Sequence, residues 1–85
     1  MDKRTKYLRF RELARPGRKT RYVEIISLSQ GLLLGTILWY GAWRQYVFEP
    51  EPDTVWNNDC LLDVQQVLAE LRADRLARQS REALP

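Results

Sequence analysis

The sequence predicts a small α+β domain, a four-stranded antiparallel meander sheet packed on one C-terminal amphipathic helix in the order ββββα. Three observations lead there. Residues 6 to 48 fall into runs rich in apolar and β-branched or aromatic residues, two of them strictly alternating, separated by glycine-bearing turns. Pro50 and Pro52 then close the strand region, because neither can donate a ladder hydrogen bond. Beyond them apolar residues recur at three- and four-residue steps, the period of a helix with one buried stripe.

The first strand is expected at about residues 5–13, with Leu8 and Phe10 on one side and Tyr7, Arg9 and Arg11 on the other. Pro16-Gly17 supplies its turn. The second, about 20–28, directs Val23 and Ile25 one way and Tyr22, Glu24 and Ile26 the other, and ends at Ser29-Gln30-Gly31, whose glycine can take positive φ. The third, about 32–40, is rich in Leu, Ile, Thr, Trp and Tyr. Gly41-Ala42 fits a type II′ hairpin leading into the fourth, about 43–49.

An extended crossing through Pro50 and Pro52 leads to Trp56. Asn57, Asn58 and Asp59 are N-cap candidates, and Asp59 and Asp63 place negative charge at the positive end of a helix expected over about 59–76. Its apolar stripe is Leu61, Val64, Val67, Leu68 and Leu71, with Leu76 at its end; a charged tail fills 77–85. The whole, 1–85, is one domain, and a chain this short buries only about 60 to 65% of its unfolded surface. Its 45% hydrophobic and 29% charged residues are those of a folded globular protein.

The helix covers one sheet face. The other then shows Arg9, Arg11, Tyr22, Arg44, Tyr46 or their neighbours, depending on register, since a one-residue slip exchanges the faces. In one register Leu34, Leu38 and Phe48 join that face, too apolar for a monomer, so a homo-oligomer is expected. A competing reading takes the nineteen uncharged residues 25–43, preceded by a basic segment, as a single-pass membrane anchor. Ser27, Ser29, Gln30, Gly31, Gly35 and Thr36 shorten its strongly apolar part to about Leu32–Trp43, too little to cross roughly 30 Å of hydrocarbon.

Chemistry is bounded by what is missing. The chain has no histidine and one cysteine, Cys60, which removes disulfide frameworks, Cys/His zinc sites and Ser-His triads together. Glu49 with Glu51 and Asp59 with Asp63 are accounted for by the extended exit and the helix start, and there is no phosphate loop or nucleophile elbow. The expectation is a non-enzyme with no catalytic residues, no metal and no cofactor. The unpaired thiol and the lack of a signal-peptide pattern suit the cytoplasm.

Charge and aromatic content point to binding. Residues 1–22 carry nine Lys/Arg against Asp2 and Glu12, whereas 49–63 carry five carboxylates and no base. Six of the nine aromatic residues lie between Trp39 and Asn57. Arg44 between Trp43 and Tyr46 offers a planar donor fork beside aromatic faces, suited to a base, a phosphate or a carboxylate. The structural alternative makes Trp39, Trp43 and Trp56 core anchors and Arg44 the ion-pair partner of Glu49, Glu51 or Asp53.

The run Trp39-Tyr40, Trp43-Arg44-Gln45-Tyr46-Val47-Phe48, Pro50-Glu51-Pro52-Asp53-Thr54-Val55-Trp56-Asn57, Cys60-Leu61 and Asp63, preceded by Glu24-Ile25-Ile26-Ser27, resembles a group of small, largely uncharacterised bacterial and phage proteins. The resemblance covers nearly the whole chain up to the middle of the helix. It implies a compact domain and, from the company such proteins keep in genomes, an accessory or host-modulating role, with no activity or site to transfer. The expected binding residues are thus Arg9, Arg11, Trp43, Arg44 and Tyr46. The expected partner is a protein or a nucleotide-like anionic ligand, with nucleic acid as the alternative.

Overall fold

The computed structural model describes residues 1–82, with side chains through residue 80. Its elements are β1 (Asp2–Arg4), β2 (Leu8–Leu13), β3 (Tyr22–Ser27), β4 (Leu33–Tyr40), β5 (Gln45–Pro50) and α1 (Asn58–Glu82). All strand pairs are antiparallel and the sheet order is β1-β2-β3-β4-β5, a meander. The fold is α+β as expected, with five strands instead of four. The extra one is Asp-Lys-Arg, three charged residues without alternation, which no hydrophobic pattern could mark as a strand. Pairing of Lys3 with Phe10 and a two-pronged Arg9–Asp2 hydrogen bond hold it on β2. Short and charged, it also blunts the sheet edge against further strand addition.

Residues 25–43, the candidate membrane segment, form β3, a loop and β4. Among the described residues no helix is long and apolar enough to cross a membrane.

The turns follow their residues. Arg15-Pro16-Gly17-Arg18 closes with a hydrogen bond from the Arg18 amide to the Arg15 carbonyl at 3.1 Å, and Gly17 takes φ 80°, the geometry of a type II turn. Gly31 turns β3 into β4 at φ 70°. The β4–β5 hairpin departs from expectation. Its loop is Gly41-Ala42-Trp43-Arg44, closed onto the Tyr40–Gln45 pair, and the left-handed residue is Arg44 at φ 52°, not Gly41. A type II′ turn needs positive φ at its first central residue, so the four-residue loop takes its place.

Register assigns the faces. Leu8, Phe10, Val23, Ile25 and Ile37 are fully buried beneath the helix, and their neighbours along the strands, Arg9, Arg11, Glu24, Thr36 and Leu38, alternate to the far face. A register shift between Ile25 and Ile26 skips Leu34, which packs against the core. Phe48, opposite Ile37, turns to the core as well and meets Trp56 edge-to-face at 4.8 Å. Two of the three residues expected to make the far face apolar are therefore inside. Gly35 makes room for this: a Cβ there would lie 2.9 Å from both the Phe48 ring and the Glu49 carbonyl oxygen.

The exit from the sheet is pinned as the sequence suggests. The Trp56 indole N–H donates to Thr54 Oγ1 at 2.9 Å, and that hydroxyl donates to the Glu51 carbonyl at 2.7 Å. Asn57 is the N-cap, its Oδ1 accepting the Cys60 amide at 2.8 Å. The buried stripe of α1 is Cys60, Val64, Val67 and Leu71, with Leu68 beside it. Leu61 and Leu76, placed on the stripe by their spacing, are 46% and 54% exposed. Cys60 lies four residues before Val64 and Leu61 three, and the docking of the helix on the sheet buries the former. The helix also continues to Glu82, past the expected end at 76, and of the predicted tail only 83–85 lies outside the described residues.

Ion pairs lock the helix to the strands. The Arg21 guanidinium donates twice to Glu12, at 2.7 and 2.9 Å, and once to Asp74 of α1 at 3.5 Å, while Lys3 reaches Glu70 at 3.2 Å. Arg21, with help from the Met1 amino group, holds the Glu12 carboxyl down at about 2 against an ordinary 4.5. A carboxyl depressed on folding contributes stability that is fully present above its unfolded value and lost as pH falls toward the folded one. Unfolding free energy should thus decline as the pH is lowered from about 4.5 to about 2, and Glu12→Gln should flatten that part of an acid-titration curve followed by circular dichroism. Gly35→Ala should lower stability by about 1–3 kcal/mol in denaturant titration through overpacking. Gly41→Ala, where nothing lies within 4 Å and φ is not positive, should leave it nearly unchanged.

Candidate functional site

A 25-residue helix is about 37 Å long. An eight-residue strand such as β4 reaches only about 26 Å. Buried positions on α1 accordingly stop at Leu71, and its later turns leave the sheet behind. Between those turns and the tip of the β4–β5 hairpin lies a groove of about 580 Å³. The hairpin contributes Trp39, Trp43, Arg44, Gln45 and Tyr46; the helix contributes Gln65, Leu68, Ala69, Arg72, Arg75, Leu76 and Gln79.

Three arginines, Arg44, Arg72 and Arg75, line this groove, and among the described residues no carboxylate does. Among the described residues none of the three forms an ion pair. Arg75 sits with its guanidinium carbon 4.0 Å from the centre of the Trp39 ring. Its Nε is buried and has no hydrogen-bond partner among the described residues. A buried donor without an acceptor is uncommon in folded proteins and calls for an explanation. Stacking on the indole compensates in part, since a desolvated cation over tryptophan is worth about 2 kcal/mol.

The aromatic residues of the groove divide by role. Trp39 and Tyr46 meet edge-to-face at 5.3 Å, and the Tyr46 hydroxyl accepts the Arg21 amide at 3.1 Å, so Tyr46 is tied into the fold. Trp43 projects from the loop at 66% exposure, buttressed edge-to-face by Tyr40 at 5.0 Å. Arg44 beside it is exposed and held in the left-handed region, where a side chain with a Cβ costs roughly 1 kcal/mol or more relative to glycine.

Of the five residues expected to bind, the structure brings together Trp43, Arg44 and Tyr46. They lie on the helix side of the sheet, not on the uncovered face where Tyr46 and Arg44 were expected, because Tyr46 pairs with Trp39 in the core-facing register. Arg9 and Arg11 are on the far face and already neutralised, Arg9 by Asp2 and Arg11 by Glu24. Hydrogen bonding from Arg9 lowers the Asp2 pKa, in keeping with that pairing. Arg44 makes no ion pair with Glu49, Glu51 or Asp53. Arg72 and Arg75 were missed by sequence reasoning, although the signal was there. Residues 65, 68, 69, 72, 75, 76 and 79 recur at three- and four-residue steps and define a second helix stripe beside the core stripe.

A second concavity, about 660 Å³, lies at the other end of β4 and is lined by Leu32, Leu33, Leu34 and Val55 with Glu51 and Asp53. Among the described residues no basic group lines it.

An uncharacterised 9.3 kDa protein of Acholeplasma phage L2 is 33% identical to this chain over 73 residues, covering 86% of this chain and 94% of the phage protein. This chain belongs to that phage protein's family. The likeness is too long to leave out either the sheet or the helix, so it concerns the domain as a whole. No family model and no solved structure matches the chain.

Arg44→Gly should raise the thermal midpoint, because glycine takes φ 52° without strain and the Arg44 side chain supports no other residue through an ion pair. The expected gain is about 0.5–1 kcal/mol. Arg44→Ala, which keeps the Cβ, should not show it.

Proposed function

We propose that this protein is a non-catalytic binding module that captures an anionic partner or ligand in the groove between the β4–β5 hairpin and α1. The observation that carries the reading is the set of three arginines with, among the described residues, no carboxylate in the lining. Elsewhere, among the described residues, Lys3, Arg9, Arg11, Arg21 and Arg78 are paired with carboxylates, while Arg4, Lys6, Arg15, Arg18 and Lys19 are not. Clustered like charges repel one another and destabilise the fold slightly, which an incoming anion reverses. Against catalysis stands the lack of any histidine and the burial of the one thiol, Cys60, in the core. The phage origin of the relative supports an accessory or host-modulating setting. The groove is complete within one chain.

The test is retention on immobilised heparin, a generic polyanion. The protein should elute at a salt concentration that falls clearly in the Arg44→Gly/Arg72→Gln double variant, because each lost phosphate-like contact reduces the salt slope by about one. Arg9→Ala/Arg11→Ala, on the far face, should elute close to the parent. Equal elution of the parent and the groove variant would sink the reading.

A further inference from the structure

We infer that the anion captured in this groove is single-stranded nucleic acid, bound by stacking as well as by charge. The inference rests on the anion-binding reading above and adds to it the ligand class. Charge alone does not separate phosphodiester from acidic protein; the placement of the flat groups does. Trp43 stands out at the hairpin tip at 66% exposure, with Tyr40 packed against it at 5.0 Å and 89°, so the indole is both accessible and held in place. An exposed, buttressed tryptophan next to an exposed arginine has no role in the core that Trp39 and Trp56 already serve.

Arg75 supplies a second flat surface. Its guanidinium carbon lies 4.0 Å from the centre of the Trp39 ring in the groove lining, and arginine planes are among the surfaces on which unpaired bases stack. Arg44 and Arg72 flank these two surfaces and can meet phosphates. Planar platforms set in an open basic groove are how proteins hold unpaired bases without reading sequence. A duplex does not suit it, since its bases are already stacked inside and present only edges and phosphates to Trp43. An acidic peptide would satisfy the arginines and leave Trp43 without a partner.

Fluorescence anisotropy of a labelled twelve-nucleotide oligo-dT, titrated with the full chain, tests this against two competitors, a duplex of equal length and poly-glutamate. The expected result is binding that weakens with salt, quenching of tryptophan emission, and competition by unlabelled single strand well ahead of both competitors. Trp43→Ala should lose about tenfold or more in affinity, the size of one base–aromatic stack, while Trp43→Phe retains most of it. Because Trp43 is largely exposed, the variant's circular dichroism should match the parent's. If duplex competes as well as single strand, or poly-glutamate competes better, or Trp43→Ala binds like the parent, the nucleic-acid inference falls while groove-dependent heparin retention still upholds the anion reading. If the Arg44→Gly/Arg72→Gln variant changes neither heparin retention nor oligonucleotide binding, both fall together.

Discussion

Everything in this molecule depends on one helix stripe covering one sheet face. Cys60, Val64, Val67 and Leu71 meet Leu8, Phe10, Val23, Ile25 and Ile37, and burying each of the larger side chains is worth about 1.5–3 kcal/mol. In a domain of this size that contact supplies most of the available stability. It also decides what each strand presents where. Once Ile37 and Phe48 face the helix, Trp39 and Tyr46 must face it too, and Arg9 and Arg11 must not. The composition of the groove is thus a consequence of core packing, with only Trp43 and Arg44 free of it because they belong to a loop.

The same stripe explains which parts of the structure were legible in the sequence. Meander order, the alternation in β2 and β3, the glycine turns at Gly17 and Gly31, the proline-terminated sheet and the Trp56 anchor could all be read from local pattern, since each rests on neighbours within a few residues. What could not be read depends on distant contacts. β1 exists because β2 offers it a ladder, not because Asp-Lys-Arg favours a strand. Two overlapping stripes of α1, 60-64-67-71 and 61-64-68-71, fit the helical period equally, and only packing on the sheet buries Cys60 and exposes Leu61. The candidate site was half legible: Trp43 and Arg44 stood out as an aromatic–basic pair, whereas Arg72 and Arg75 matter only because the helix brings them back beside the hairpin, some thirty residues away in sequence.

Arginine is used in two distinct ways. Arg21 is structural, its fork engaging Glu12 on β2 and Asp74 on α1 while its amide holds Tyr46. The groove arginines are left without carboxylates, and Arg44 additionally occupies a backbone conformation in which a side chain is a liability. Local rules broken without structural return concentrate at functional sites, where stability is given up for binding. By contrast the concavity at the other end of β4 is lined by carboxylates and apolar side chains.

Because α1 follows the sheet in chain order, the order of synthesis matters. A meander is built from neighbouring pairings and can assemble strand by strand as it emerges, but its apolar face has no cover until the segment through Leu71 arrives. Until then the nascent sheet shows Phe10, Ile25 and Ile37 to its surroundings. A chain interrupted between Pro50 and Leu71 would therefore be a complete sheet with a sticky side, and quality control, not partial function, would be its fate.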